Sequence, residues 1–97
     1  MLRMTTFDDL KGVARHWATL HPELEQRLSR ALALVANVHR VTLLSYEVEG
    51  SDGHVYRVNV NRKERTSTCT CPDYELRRTR CKHILAAALY EVCEAPV

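Results

Sequence analysis

Ninety-seven residues, 45% hydrophobic and 27% charged with a formal charge of +2, describe one small globular domain. No uninterrupted apolar run approaches the roughly 20 residues that a bilayer-spanning helix needs, so no membrane partner is expected. Internal repeats and low-complexity tracts are absent, which excludes solenoids and disordered linkers.

Phe7, Leu10, Val13, Trp17 and Leu20 recur every three to four residues and predict one face of a first helix, ended by His21-Pro22. Proline is tolerated in the first turn of a following helix. Leu24, Leu28, Ala31, Val35 and Val38 then give the spacing of a second, longer one, so residues 1–40 read as an antiparallel helical pair. Both apolar stripes, Trp17 included, are read as core. Asp8, Asp9, Glu23 and Glu25 sit at predicted helix starts, where carboxylates favour the dipole, and are read as capping charge rather than catalytic pairs. His16, His21 and His39 are read as solvated or capping residues.

From Thr42 the period changes to two. Leu44, Tyr46 and Val48 alternate with Ser45, Glu47 and Glu49, and after Gly50-Ser51-Asp52-Gly53 come Tyr56, Val58 and Val60, which is a β-hairpin. A second turn at Asn61-Arg62-Lys63-Glu64 leads to a short third strand, Thr66-Ser67-Thr68-Cys69. The run from Ile84 to Tyr90 is a strong helix former whose Ile84, Leu85, Ala88, Leu89 and Val92 should pack across the sheet. Cys93 shares the spacing of Leu85 and Leu89 and is read as a buried small hydrophobe. The predicted class is α+β: two N-terminal helices, a three-stranded antiparallel β-meander and a C-terminal helix. Residues 1–97 form a single domain, with residues 41–97 as its cysteine-bearing module.

Cys69-Thr70-Cys71, nine residues, then Cys81-Lys82-His83 supply three thiolates and one imidazole, the ligand set of a closed tetrahedral zinc site. In an extended strand the thiols of Cys69 and Cys71 leave the backbone on the same side. Cys81 and His83 cannot converge inside a regular helix, where residues two apart point about 200° away from each other. At least one of them must therefore precede the first helical turn, and the helix begins at the metal. A disulfide framework is disfavoured, since no leader-like apolar segment opens the chain, and a reducing cytoplasm is expected.

Cys69-Thr70-Cys71-Pro72-Asp73-Tyr74, the nine-residue spacer and Cys81-Lys82-His83 followed by an apolar helix resemble the SWIM zinc finger, over roughly the last 45 residues of this small chain. The resemblance implies one structural Zn2+ in a strand-strand-helix module that binds DNA or protein. Members of that family are appended to transposases, Swi/Snf-type ATPases and recombination-mediator proteins. No ATPase, nuclease or ligase domain accompanies the finger in these 97 residues, so any such machine would be reached through a partner.

The charge is unevenly spread. Residues 57–83 hold eight Lys or Arg against three Asp or Glu, a local +5, while residues 1–56 hold six against seven. Arg62, Lys63 and Arg65 occupy one turn, and Arg77, Arg78, Arg80 and Lys82 occupy the spacer and the second ligand pair. These seven are the predicted nucleic-acid contacts, made to phosphates without sequence preference, on DNA rather than RNA. The alternative is a protein-protein adaptor that docks a larger DNA-processing machine. Catalysis is not expected, because four protein ligands fill the zinc sphere and leave no position to activate water. No small-molecule substrate is predicted.

Overall fold

The computed structural model describes residues 7–50, 52–61, 63–64, 66–78 and 80–94. Helix α1 spans Phe7–Leu20 and opens with Asp8 and Asp9 in its first turn. It stops where Pro22 pushes its neighbour out of the helical region: His21 has φ −135° and ψ 75°. Pro22–Leu24 form a 3-10 turn that leads into α2, Glu25–Leu34. α1 buries Leu10 and Ala14, and α2 buries Leu28, Ala31 and Leu34. Val13 and Trp17 pack at the edge of this core. Leu20, the last residue of the predicted stripe, is 61% exposed instead.

The second helix is shorter than its periodicity predicts. After a 3-10 turn at Val35–Asn37 the chain becomes extended, and Val38–Thr42 form strand β1. Val38 satisfies a helical stripe and an inward strand position equally well. Pairing decides the matter, because Val38 sits opposite Val48 in an antiparallel ladder and is buried there. The sheet therefore has four strands rather than three, and residues 38–40 belong to it and not to the helical pair. The remaining strands are β2 (Ser45–Glu49), β3 (Val55–Asn61) and β4 (Thr66–Cys69), in the order β1-β2-β3-β4, each antiparallel to its neighbour. The predicted alternation is present from Ser45 onward: Tyr46, Val48 and Val58 are fully buried on one face, while Glu49, Arg57 and Asn59 are exposed on the other; Leu44, expected to face inward, is exposed in the turn before β2.

Two further helices follow. Pro72–Arg77 form a one-and-a-half-turn helix, α3, where the sequence reading has an open spacer. Lys82–Glu94 form α4. α4 is the centre of the molecule, in contact with α1, α2 and all four strands. Its small Ala86 and Ala87 are buried along with Ile84, Leu85 and Leu89, so its buried arc is wider than the predicted stripe. The helical pair and the finger thus share one core. Cys93 is partly buried against that core, and no helix among the described residues is long and apolar enough to cross a membrane.

Candidate metal centre

Each ligand is delivered by a different local device. Cys69 ends β4, and Thr70 clips the next step of the chain to β3: its N–H donates to the Arg57 carbonyl at 3.2 Å and its Oγ1 accepts from the Arg57 N–H at 3.0 Å. Cys71 keeps an extended backbone (φ −73°, ψ 154°), so the two thiols stay on one side, as strand alternation requires. Cys71 is also the N-cap of α3, its Sγ accepting the Tyr74 N–H at 3.4 Å, with Pro72 in the first helical position. Cys81 stands just before α4 and its carbonyl accepts the Leu85 N–H, while His83 lies inside the first turn. One ligand outside the helix and one within it resolves the divergence of residues two apart.

The four side chains are buried, and one donor atom from each lies within 4.8 Å of every other. A tetrahedral zinc held by three sulfurs and one nitrogen sets its donors about 3.6–3.8 Å apart. The cluster fits one zinc ion with only a small contraction. His83 Nδ1 is 3.8 Å from Cys81 Sγ, whereas its Nε2 is buried without a hydrogen-bond partner among the described residues. Nδ1 is thus the nitrogen turned toward the sulfurs.

Electrostatics among the sulfurs points the same way. Cys81 is pushed down to about 4, first by the hydrogen bond from Cys69 and then by that from His83. Cys69 is raised because it holds the proton of that bond and is buried, and Cys71 is raised chiefly by burial. Without a cation, several thiolates buried side by side oppose one another's ionisation. A divalent ion removes that conflict and stabilises all three thiolates.

The turn between β2 and β3 roofs the histidine. The Tyr56 ring packs on the His83 ring with centroids 4.5 Å apart. The Tyr56 hydroxyl donates to Asp52 Oδ2 at 2.6 Å, and Asp52 Oδ1 accepts the His54 N–H at 3.0 Å. This pairing lowers Asp52 below its ordinary range and raises Tyr56 to about 12. Gly50 lies over Nε2: a Cβ there would stand 3.0 Å from both Asp52 Oδ1 and Tyr56 Cε2 and 3.2 Å from His83 Nε2. Gly50→Ala must displace the imidazole or the roof. We expect a loss of about 1–3 kcal/mol in stability and weaker zinc retention, read by urea titration and by competition with a chromogenic chelator. Wild-type values in both would show that the roof yields freely.

A model of the SWIM zinc finger matches residues 39–91, more than half of the chain. The chain belongs to the SWIM zinc finger family. No curated protein and no solved structure gives a significant match. The matched span takes in residues 39–42 of β1 and runs into α4. α1 and α2 lie outside it.

The predicted nucleic-acid contacts are dispersed. Arg62 and Arg65 lie outside the described residues, and Lys63 is exposed in the β3–β4 turn. Arg77, the last residue of α3, pairs with Asp73 at 3.4 Å; it and Lys82 line a cleft of about 600 Å³ beside the metal centre. Two arginines that the sequence reading passes over, Arg27 and Arg30 of α2, line the same cleft, with Arg27 3.8 Å from the shared Asp73 carboxylate. Arg78 and Arg80 turn the other way, toward a second groove between the helical pair and the sheet. Arg78 caps α3 with φ 55° and ψ 30°, its guanidinium 5.6 Å above the Tyr74 ring. No sequence signal distinguishes these two directions, because helix α3 sets them.

Proposed function

We infer that this SWIM protein is a non-catalytic binding module that holds nucleic acid, DNA in particular, through phosphate contacts of Arg78 and Arg80, which stand between α3 and the metal centre. One observation carries the reading. Arg78 is the only non-glycine residue with positive φ among those described. A left-handed conformation costs an L-residue roughly 1–2 kcal/mol that glycine avoids, and helices commonly end on glycine there. An arginine kept in that position, exposed and without a carboxylate partner among the described residues, supports a task for its guanidinium. Arg80, also exposed, stands one residue before the metal ligand Cys81. Arg78 is held by the end of α3, and Arg80 by the neighbouring ligand Cys81, which lowers the ordering entropy of a phosphate contact. Zinc is structural in this reading, since its four ligands come from the chain. The three metal-binding thiols suit a reducing cytoplasm.

The test separates backbone from side chain. In Arg78→Gly with Arg80→Ala, thermal stability should stay within about 1 kcal/mol of wild type, because glycine suits the backbone. Affinity for a labelled oligonucleotide should fall, and the slope of log K against log salt should shrink by about 0.7–0.9 for each phosphate that is no longer neutralised. Unchanged affinity and slope would remove the nucleic-acid reading. The adaptor reading then gains, and it has its own support: the β1–β2 turn exposes Leu43 at 78% and Leu44 at 41%, an apolar tip suited to a protein surface.

A further inference from the structure

The groove that receives Arg78 and Arg80 has a volume of about 640 Å³ and is built by both halves of the chain. Trp17 and Leu20 come from α1, Val60 from the sheet, Tyr74 from α3 and Ala88 from α4. Two exposed guanidinium groups thus stand at a concave site with an apolar and aromatic lining. The hydroxyls of Thr66 and Ser67 lie at its edges. Arg78 and Arg80 have no carboxylate partner among the described residues and outnumber the one carboxylate in the lining, Glu91, which is held by the Tyr46 hydroxyl, so the groove keeps a net positive charge for a ligand.

A flat cationic patch would suit the outside of a duplex. A concave lining with Trp17, Tyr74 and aliphatic walls has no use for a duplex, whose bases are stacked and paired inside. An unstacked base fits it, with its ring against the apolar lining, its edge near the hydroxyls and its phosphates on the arginines. The phosphodiester charge is what selects this occupant over an uncharged apolar segment. We propose that the groove between the helical pair and the finger is a single-strand site, in which Arg78 and Arg80 hold phosphates while at least one base enters beside Trp17. The proposal rests on the nucleic-acid reading above and adds to it the strand class and the part played by α1, which lies outside the matched finger. Base stacking on aromatic groups commonly contributes roughly 5- to 150-fold per base in affinity.

Trp17 is the only tryptophan in the chain, so its fluorescence reports on this groove alone. The experiment titrates zinc-loaded protein with a short oligothymidylate, the same strand annealed to its complement, an abasic strand of equal length, and an acidic leucine-containing peptide. The expected result is quenching of Trp17 by the single strand, with affinity at least about tenfold above that for the duplex and for the abasic strand. Leu20→Glu, at an exposed position on the groove lining that leaves the core intact, should weaken single-strand binding and reduce the quench. If duplex or abasic strand binds as tightly as the oligothymidylate, the groove proposal falls while the nucleic-acid reading stands. If none of the three nucleic acids binds at low salt, both fall. Quenching by the peptide alone would overturn the proposal in favour of a protein segment.

Discussion

Removing the metal with a strong chelator should unfold the whole chain, the amino-terminal helices included. From the sequence, residues 6–38 would keep some helix after the finger collapses. The structure argues otherwise, since α4 starts at Lys82, between the ligands Cys81 and His83, and is the element against which α2, with its buried Leu28, Ala31 and Leu34, packs. Structural zinc sites contribute an apparent ~10–16 kcal/mol, against a usual total stability of about 5–15 kcal/mol for a domain. Losing the ion frees the start of α4, and the shared core goes with it. Helical circular dichroism should fall to near the unfolded signal and return on addition of stoichiometric zinc. Cys81→Ser should behave like the chelated protein at all zinc levels short of large excess. A cooperative melt that persists after metal removal has been verified by elemental analysis would show that the helices and sheet hold together unaided.

Tyr46→Ala should cost about 3–5 kcal/mol with zinc bound. The Tyr46 ring is fully buried at the centre of β2 and packs edge-on against Tyr90 with centroids 6.1 Å apart. Arg40 covers it, its guanidinium carbon 4.9 Å from the ring centroid, and its hydroxyl donates to Glu91. Truncation empties a volume bordered by strand and helix that neither can collapse into without breaking the ladder of β2 with β1 and β3. Tyr46→Phe keeps the ring and loses only the hydrogen bond to a carboxylate, roughly 1.5–3 kcal/mol. Urea midpoints for the two variants at saturating zinc should rank in that order. Equal midpoints for alanine and phenylalanine would mean that the hydroxyl, not the ring, is what β2 contributes to the core.

Features that depend on spacing along a few residues were legible in the chain alone. Cys69 and Cys71 share a side because strand alternation has period two, and Cys81 and His83 must straddle a helix start because a helix turns by about 100° per residue. Both are in the structure, where the four side chains meet in a cluster that fits one zinc ion, and the SWIM family model matches the same segment. The alternation from Ser45 to Val60 placed β2 and β3 with the correct face inward. Helix α3 was also signalled, by Pro72 at a first helical position and Asp73 in the first turn, but six residues are too few for a periodic pattern to register.

The remaining features came from packing in three dimensions. Val38 fits two periods, and the choice was made by its partner Val48, ten residues away on another strand. The spacer cations looked like one patch in the chain, yet α3 sends Arg77 to one cleft, lined also by α2, and Arg78 to another, lined also by α1. The closeness of Gly50 to His83 and the placement of Trp17 beside the arginines likewise join residues more than thirty positions apart. Such contacts arise where elements meet, and local propensity and spacing carry no information about which faces will do so.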